Sequence, residues 1–143
     1  MRSGRLTIAW FANLRGPETQ SPTNFIMCIL IVDDQSDLAD SLADVLRLEG
    51  HHVATAYSGE DALKLSRQHP LKLMFLDVRL PGINGVDTLL AIRKEQPGVP
   101  AYMMTGYSVA PLLQKAIDHG AQGVLHKPLD LDQIIELAEQ HGT

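Results

Sequence analysis

The 143-residue chain has a single cysteine, Cys28. No intrachain disulfide can form, and a reducing, cytoplasmic setting is the expectation. Basic residues are in deficit, 12 against 17 acidic, for a formal net charge of −5. That argues against phosphate-backbone binding as the main activity, which needs a basic footprint, so no direct nucleic-acid binding is expected. No apolar run approaches the roughly 20 residues of a membrane-spanning helix, and no membrane association is expected. The six histidines show neither HxxH nor HxxxH spacing, which leaves them as surface or packing residues. No self-similar internal repeat is present. Hydrophobic content of 45% and charged content of 20% are ordinary for a globular domain. A chain of this length buries roughly two-thirds of its unfolded surface and needs no covalent staple.

The charge is unevenly spread. Residues 1–26 hold three basic side chains (Arg2, Arg5, Arg15) and one acid, Glu18, a net of +2. Residues 27–143 carry the opposite balance, a net of −7. The first segment has no clean period. Its short apolar stretch Leu6–Leu14 follows two arginines, as in a signal peptide, but no small-residue cleavage site follows it. Gly16-Pro17 and Ser21-Pro22 read as loop. The expectation is a flexible N-terminal extension over 1–26 and one domain over 27–143.

From Met27 a regular alternation begins. Cys28–Val32 is a continuous apolar run that suits a strand buried on both faces. Asp37–Glu49 follows as a helix, with Leu38, Leu42, Val45 and Leu46 on one stripe. Ser36 is its expected N-cap and Gly50 its end. The spacing then predicts a strand over 52–56, a helix from Ser58 to about Gln68, and a strand over 72–77. A turn-rich loop carries Pro81-Gly82 and Asn84-Gly85. Next come a helix over 86–95, a strand over 99–104, a helix over 108–119, a strand over 122–126 and a helix over 131–140. Five strand-then-helix units argue an α/β fold, a parallel sheet covered on both faces.

In an open parallel sheet, ligands bind at the carboxyl ends of the strands. There the sequence places Asp33 and Asp34, Asp77, Thr105 and Lys127. Taken singly, each has a bland explanation: a helix cap, a turn hydroxyl, a solvated lysine. Their convergence on one rim from four separate segments favours a single site. Three carboxylates repel one another, and a hard divalent cation relieves that repulsion. Oxygen ligands with room for water suit Mg²⁺. A metal, a hydroxyl and a lysine together describe a phosphoryl site, where a carboxylate can itself act as nucleophile.

The residues Ile-Leu-Ile-Val-Asp33-Asp34, Phe-Leu-Asp77-Val-Arg-Leu-Pro81-Gly82-Ile-Asn-Gly85, Met-Met-Thr105-Gly106 and His-Lys127-Pro128 resemble the receiver domain of two-component response regulators. The resemblance covers Met27 to about Gln140. It implies a doubly wound, flavodoxin-like (βα)5 sheet in the order 2-1-3-4-5. It implies that Asp77 accepts the phosphoryl group, that Thr105 is the switch hydroxyl and that Lys127 pairs with the phosphate. Asp33, Asp34, Asp77 and the backbone carbonyl of Arg79 would hold Mg²⁺, with Asp34 the more direct ligand of the acidic pair. The Lys127–Pro128 bond is expected to be cis. The implied donor is a sensor histidine kinase or a phosphotransfer protein. The change is then read on residues 108–140, by a downstream protein, an output domain or a second copy in a homodimer. The protein's own chemistry is confined to its phosphorylation and slow dephosphorylation, so it is not an enzyme in the usual sense.

One position departs from the family. An aromatic usually stands three residues before the lysine, where this chain has Val124. Tyr102, Tyr107 and His126 are the candidate substitutes, and Tyr107 could also shield the acyl phosphate from water. Two other readings stand beside the receiver. A Mg²⁺-dependent phosphatase with an aspartyl nucleophile usually has a second Asp two residues later, where Arg79 stands. A receiver-like binding module that takes no phosphate would not need the intact Asp34, Asp77, Thr105 and Lys127.

Overall fold

The apolar run at Cys28–Val32 forms β1, every residue of it buried. The computed structural model describes residues 26–106 and 110–141. The expected extension therefore lies outside the described residues except for Ile26. After β1 come α1 (Ser36–Leu48), β2 (Val53–Ala56), α2 (Gly59–Gln68), β3 (Leu71–Asp77) and α3 (Gly85–Glu95). They are followed by β4 (Ala101–Thr105), α4 (Ala110–Asp118), β5 (Gly123–His126) and α5 (Leu131–His141). The strands make one five-stranded sheet in the order β2-β1-β3-β4-β5, with every pairing parallel. The fold read from the sequence is the fold observed.

Period-two alternation on the central strands feeds two cores. Ile29 and Ile31 of β1 and Leu73 and Phe75 of β3 pack under α1 and α5, against Leu42, Leu46, Ile134 and Ala138. Leu30, Val32, Met74 and Leu76 pack on the other face with α2, α3 and α4, against Ala62, Leu89, Ile92 and Ala116. Each large side chain buried this way contributes roughly 1.5–3 kcal/mol. The strand ends are thus held on a rigid platform.

Two boundaries moved. The α1 N-cap is Gln35, not Ser36, and its side chain makes no capping bond. The fourth strand starts at Ala101 instead of Val99. Pro100 has no N–H to give the ladder, and the Val99 amide bonds back to Gln96. The described part of the fourth helix begins at Ala110, and its expected start at Ser108 lies with Tyr107 outside the described residues. The α2 cap is as read, with the Ser58 side chain accepting from the Asp61 amide at 3.1 Å. Gly50 (φ +96°) follows α1 and Gly120 (φ +95°) follows α4, in the left-handed conformation that glycine tolerates.

Candidate phosphoacceptor cleft

Parallel register brings the rim together. Val32 pairs with Leu76, so Asp33 and Asp77 leave adjacent strands side by side. Met104 pairs with Asp77 and His126 with Thr105, which sets Thr105 and Lys127 next in line. The Lys127 amide donates to the Thr105 carbonyl at 2.8 Å, and the Lys127–Pro128 bond is cis as expected. Asp33 (0% exposed), Asp77 (7%) and Thr105 (2%) are buried, whereas Asp34 is exposed. Gly85 lets α3 start against β3, since a Cβ there would overlap the Asp77 carbonyl oxygen.

The Lys127 ammonium is the centre of the cluster. Its Nζ donates to Asp33 Oδ2 at 2.7 Å, Asp77 Oδ2 at 2.9 Å and Gln35 Oε1 at 3.3 Å. The other carboxylate oxygens are held from the backbone. Asp33 Oδ1 accepts from the Gln35 amide at 2.9 Å, and Asp77 Oδ1 accepts from the Arg79 amide at 3.0 Å. Carboxylate oxygens of Asp33, Asp34 and Asp77 lie within 4.8 Å of one another. All are hard donors, and the spacing suits a small divalent cation with water completing its shell.

The electrostatics are strained in one direction. Burial pushes the Asp33 carboxyl above its usual range. The Lys127 bond only partly offsets this, and the Asp77 charge adds to it. For Lys127, burial alone would lower the pKa. The hydrogen bonds and charges of Asp33 and Asp77 outweigh burial and raise it. One ammonium therefore serves two buried carboxylates with a third close by, an arrangement that favours further positive charge.

The cluster faces an open cleft of about 760 Å³ whose walls include Arg79, Leu80, Asn84, Gly106 and Leu112. A larger groove of about 940 Å³ lies at the opposite end of the sheet, beside His52, Lys72 and His141. It has no comparable convergence of charge, and the chemistry collects in the smaller cleft.

The structure brings together the three carboxylates and the lysine that the sequence assigned to the rim, and strand register sets Thr105 beside them. Two features escaped the sequence. Gln35 reaches Lys127 across 92 positions, and its only sequence signal is a residue unsuited to capping at a helix start. Asn84, on the cleft wall, caps α3 and also donates to Asp87, which in turn accepts from Lys115 of α4 at 3.1 Å. That chain of contacts depends on side-chain reach, which no local pattern reports.

Of the candidate substitutes for the missing aromatic, Tyr102 and His126 do not fill its place, and Tyr107 lies outside the described residues. Val124 packs with Met103 on the α4 side of the sheet. Tyr102 points to the opposite side, stacked on Phe75 at 6.0 Å, with its hydroxyl 3.2 Å from His141 Nε2. His126 is exposed. The histidines pack or lie at the surface as read. His51 bridges Lys72 at 3.2 Å and Glu139 at 3.1 Å.

A family model described as the response regulator receiver domain matches residues 29–139. The transcriptional regulatory protein ZraR of Salmonella typhimurium is 38% identical over 112 residues, covering 78% of this chain. The chain spans about a quarter of that relative's length (25%). The receiver domain of NtrX from Brucella abortus superposes with a TM-score of 0.72 at 35% identity, over 79% of this chain and 96% of that one. A response regulator protein from Burkholderia pseudomallei, solved with a phosphorylated aspartic acid, calcium ion and citrate, gives 0.71 at 28% identity, over 78% and 65%.

Proposed function

Since the chain belongs to the response regulator receiver family of two-component signal transduction, we propose that it accepts a phosphoryl group on Asp77. The observation that carries this reading is the Lys127 ammonium, set 2.9 Å from Asp77 and 2.7 Å from Asp33 with a third carboxylate beside them. A carboxylate oxygen of Asp77 attacks the phosphorus of a phosphohistidine presented by a sensor kinase or phosphotransfer protein. The new O–P bond forms as the P–N bond breaks, and the imidazole leaves with the electron pair and takes up a solvent proton. Lys127 turns from the carboxylate to the phosphoryl oxygens and neutralises their charge. The Thr105 hydroxyl, at the end of β4, is the donor for another phosphoryl oxygen.

Asp33, Asp34, Asp77 and the Arg79 carbonyl are the residues that would hold Mg²⁺. When bound, the ion supplies further neutralisation of the phosphoryl oxygens. Both Asp33 oxygens already accept hydrogen bonds, whereas Asp34 is exposed, which favours Asp34 as the direct ligand. Phosphorylation adds nearly two negative charges to the rim and biases a two-state equilibrium of the β4–α4 loop. The reading surface is α4, β5 and α5, for a downstream protein, an output domain or a second copy. None of the described helices is long and apolar enough to cross a membrane, in keeping with action in the cytoplasm. The test is incubation with acetyl phosphate and Mg²⁺, read by intact mass. Wild type should gain one phosphoryl group and Asp77→Asn none. No gain on wild type, or an equal gain on the variant, overturns the reading.

A further inference from the structure

We propose that Gln35 is a positioning residue for phosphoryl transfer, one that fixes the Lys127 ammonium at the mouth of the cleft. The inference rests on Asp77 being the phosphoacceptor and extends that site by one residue.

Gln35 occupies the N-cap of α1. Short oxygen-bearing side chains are preferred there, because they accept from the helix's own unpaired amides. Gln35 forms no such bond. Its carboxamide instead turns into the cleft, where Oε1 accepts from Lys127 Nζ at 3.3 Å. A position that breaks a local rule and serves a site is where function tends to lie.

The backbone of the same residue is anchored to the site. Its amide donates to Asp33 Oδ1, and Asp33 Oδ2 accepts from Lys127. Lys127, Asp33 and Gln35 thus form a closed ring of contacts. An ammonium has three N–H donors, and Asp33, Asp77 and Gln35 supply three acceptors. When Asp77 bonds to phosphorus, two acceptors still hold the ammonium beside the phosphoryl oxygens. The carboxamide does this without adding charge. A carboxylate in its place would be a fourth negative group on a rim that receives an anionic donor.

Gln35→Ser separates positioning from capping. Serine supplies the missing cap, so the thermal midpoint should hold or rise, while phosphoryl uptake from acetyl phosphate at saturating Mg²⁺ slows about three- to tenfold. Gln35→Glu should slow uptake at least as much. In a Lys127→Met background, Gln35→Ser should cause no further slowing, because its effect passes through the lysine. If Lys127→Met does not fold, the comparison of Gln35→Ser with wild type still decides. A Gln35→Ser protein as fast as wild type, or equally slowed with and without Lys127, overturns the proposal and leaves Asp77 as acceptor untouched. A wild type that takes up no phosphoryl group overturns both.

Discussion

Two lysines in this molecule make aspartate contacts that look alike on paper and differ in consequence. Lys127 meets Asp33 and Asp77 at 2.7 and 2.9 Å, with its side chain 17% exposed and the carboxylates 0% and 10%. Lys115 meets Asp87 at 3.1 Å, but both side chains are nearly half exposed. At the rim the bond lies among other charges, out of most of the water. Between α3 and α4 solvent competes for both partners. Geometry is shared, and burial decides which contact the protein depends on.

The sharpest way to break this contrast is to remove each lysine in turn. Lys127→Met should slow phosphoryl uptake from acetyl phosphate by about 10²-fold or more, as loss of a charge-stabilising donor does. It should also lower stability in urea denaturation by about 1–3 kcal/mol, since two buried carboxylates lose their counter-charge. Mg²⁺ should restore part of that loss. In the wild type, Mg²⁺ at a hundred times its Kd should stabilise by about 2.7 kcal/mol relative to metal-free protein. Asp34→Asn should reduce that gain, which thermal denaturation with and without chelator will show.

The pH dependence sharpens the contrast further. Asp33 has a raised pKa in the folded state, so the native protein holds this proton more tightly than the unfolded chain. Its contribution to stability therefore falls as pH rises from the ordinary carboxylate range through the raised value. Asp33→Asn should be at least as stable as wild type at neutral pH, with any advantage fading as pH drops through that window. Lys127 is also raised. Its stabilisation is full below the ordinary lysine value and is lost as pH climbs through the folded one. That alkaline limb should be missing in Lys127→Met. The smallest effect belongs to Lys115→Met, which should change urea stability by less than about 1 kcal/mol and leave the rate of phosphoryl uptake unchanged.

The rim was legible in the sequence because each member sits where an apolar strand stops. Asp33, Asp77, Thr105 and Lys127 need only the strand count and the rule that parallel strands expose their carboxyl ends together. What stayed hidden depended on reach or on a single missing donor. Gln35 could not be paired with Lys127 by any local spacing. Val99 and Pro100 read as strand because they are apolar, yet proline gives the ladder no N–H. The side of the sheet taken by Tyr102 follows from its register with Gly123, which places it opposite Val124's side. That register is set by tertiary pairing rather than by the residue itself.

The central claim, that Asp77 is the acceptor, can be met head-on. After incubation with acetyl phosphate and Mg²⁺, borohydride reduction converts an aspartyl phosphate to homoserine, and peptide mass spectrometry locates it. The account predicts homoserine at position 77. Homoserine at position 33 or 34, or at none of the three in a protein that has gained a phosphoryl group, would contradict it.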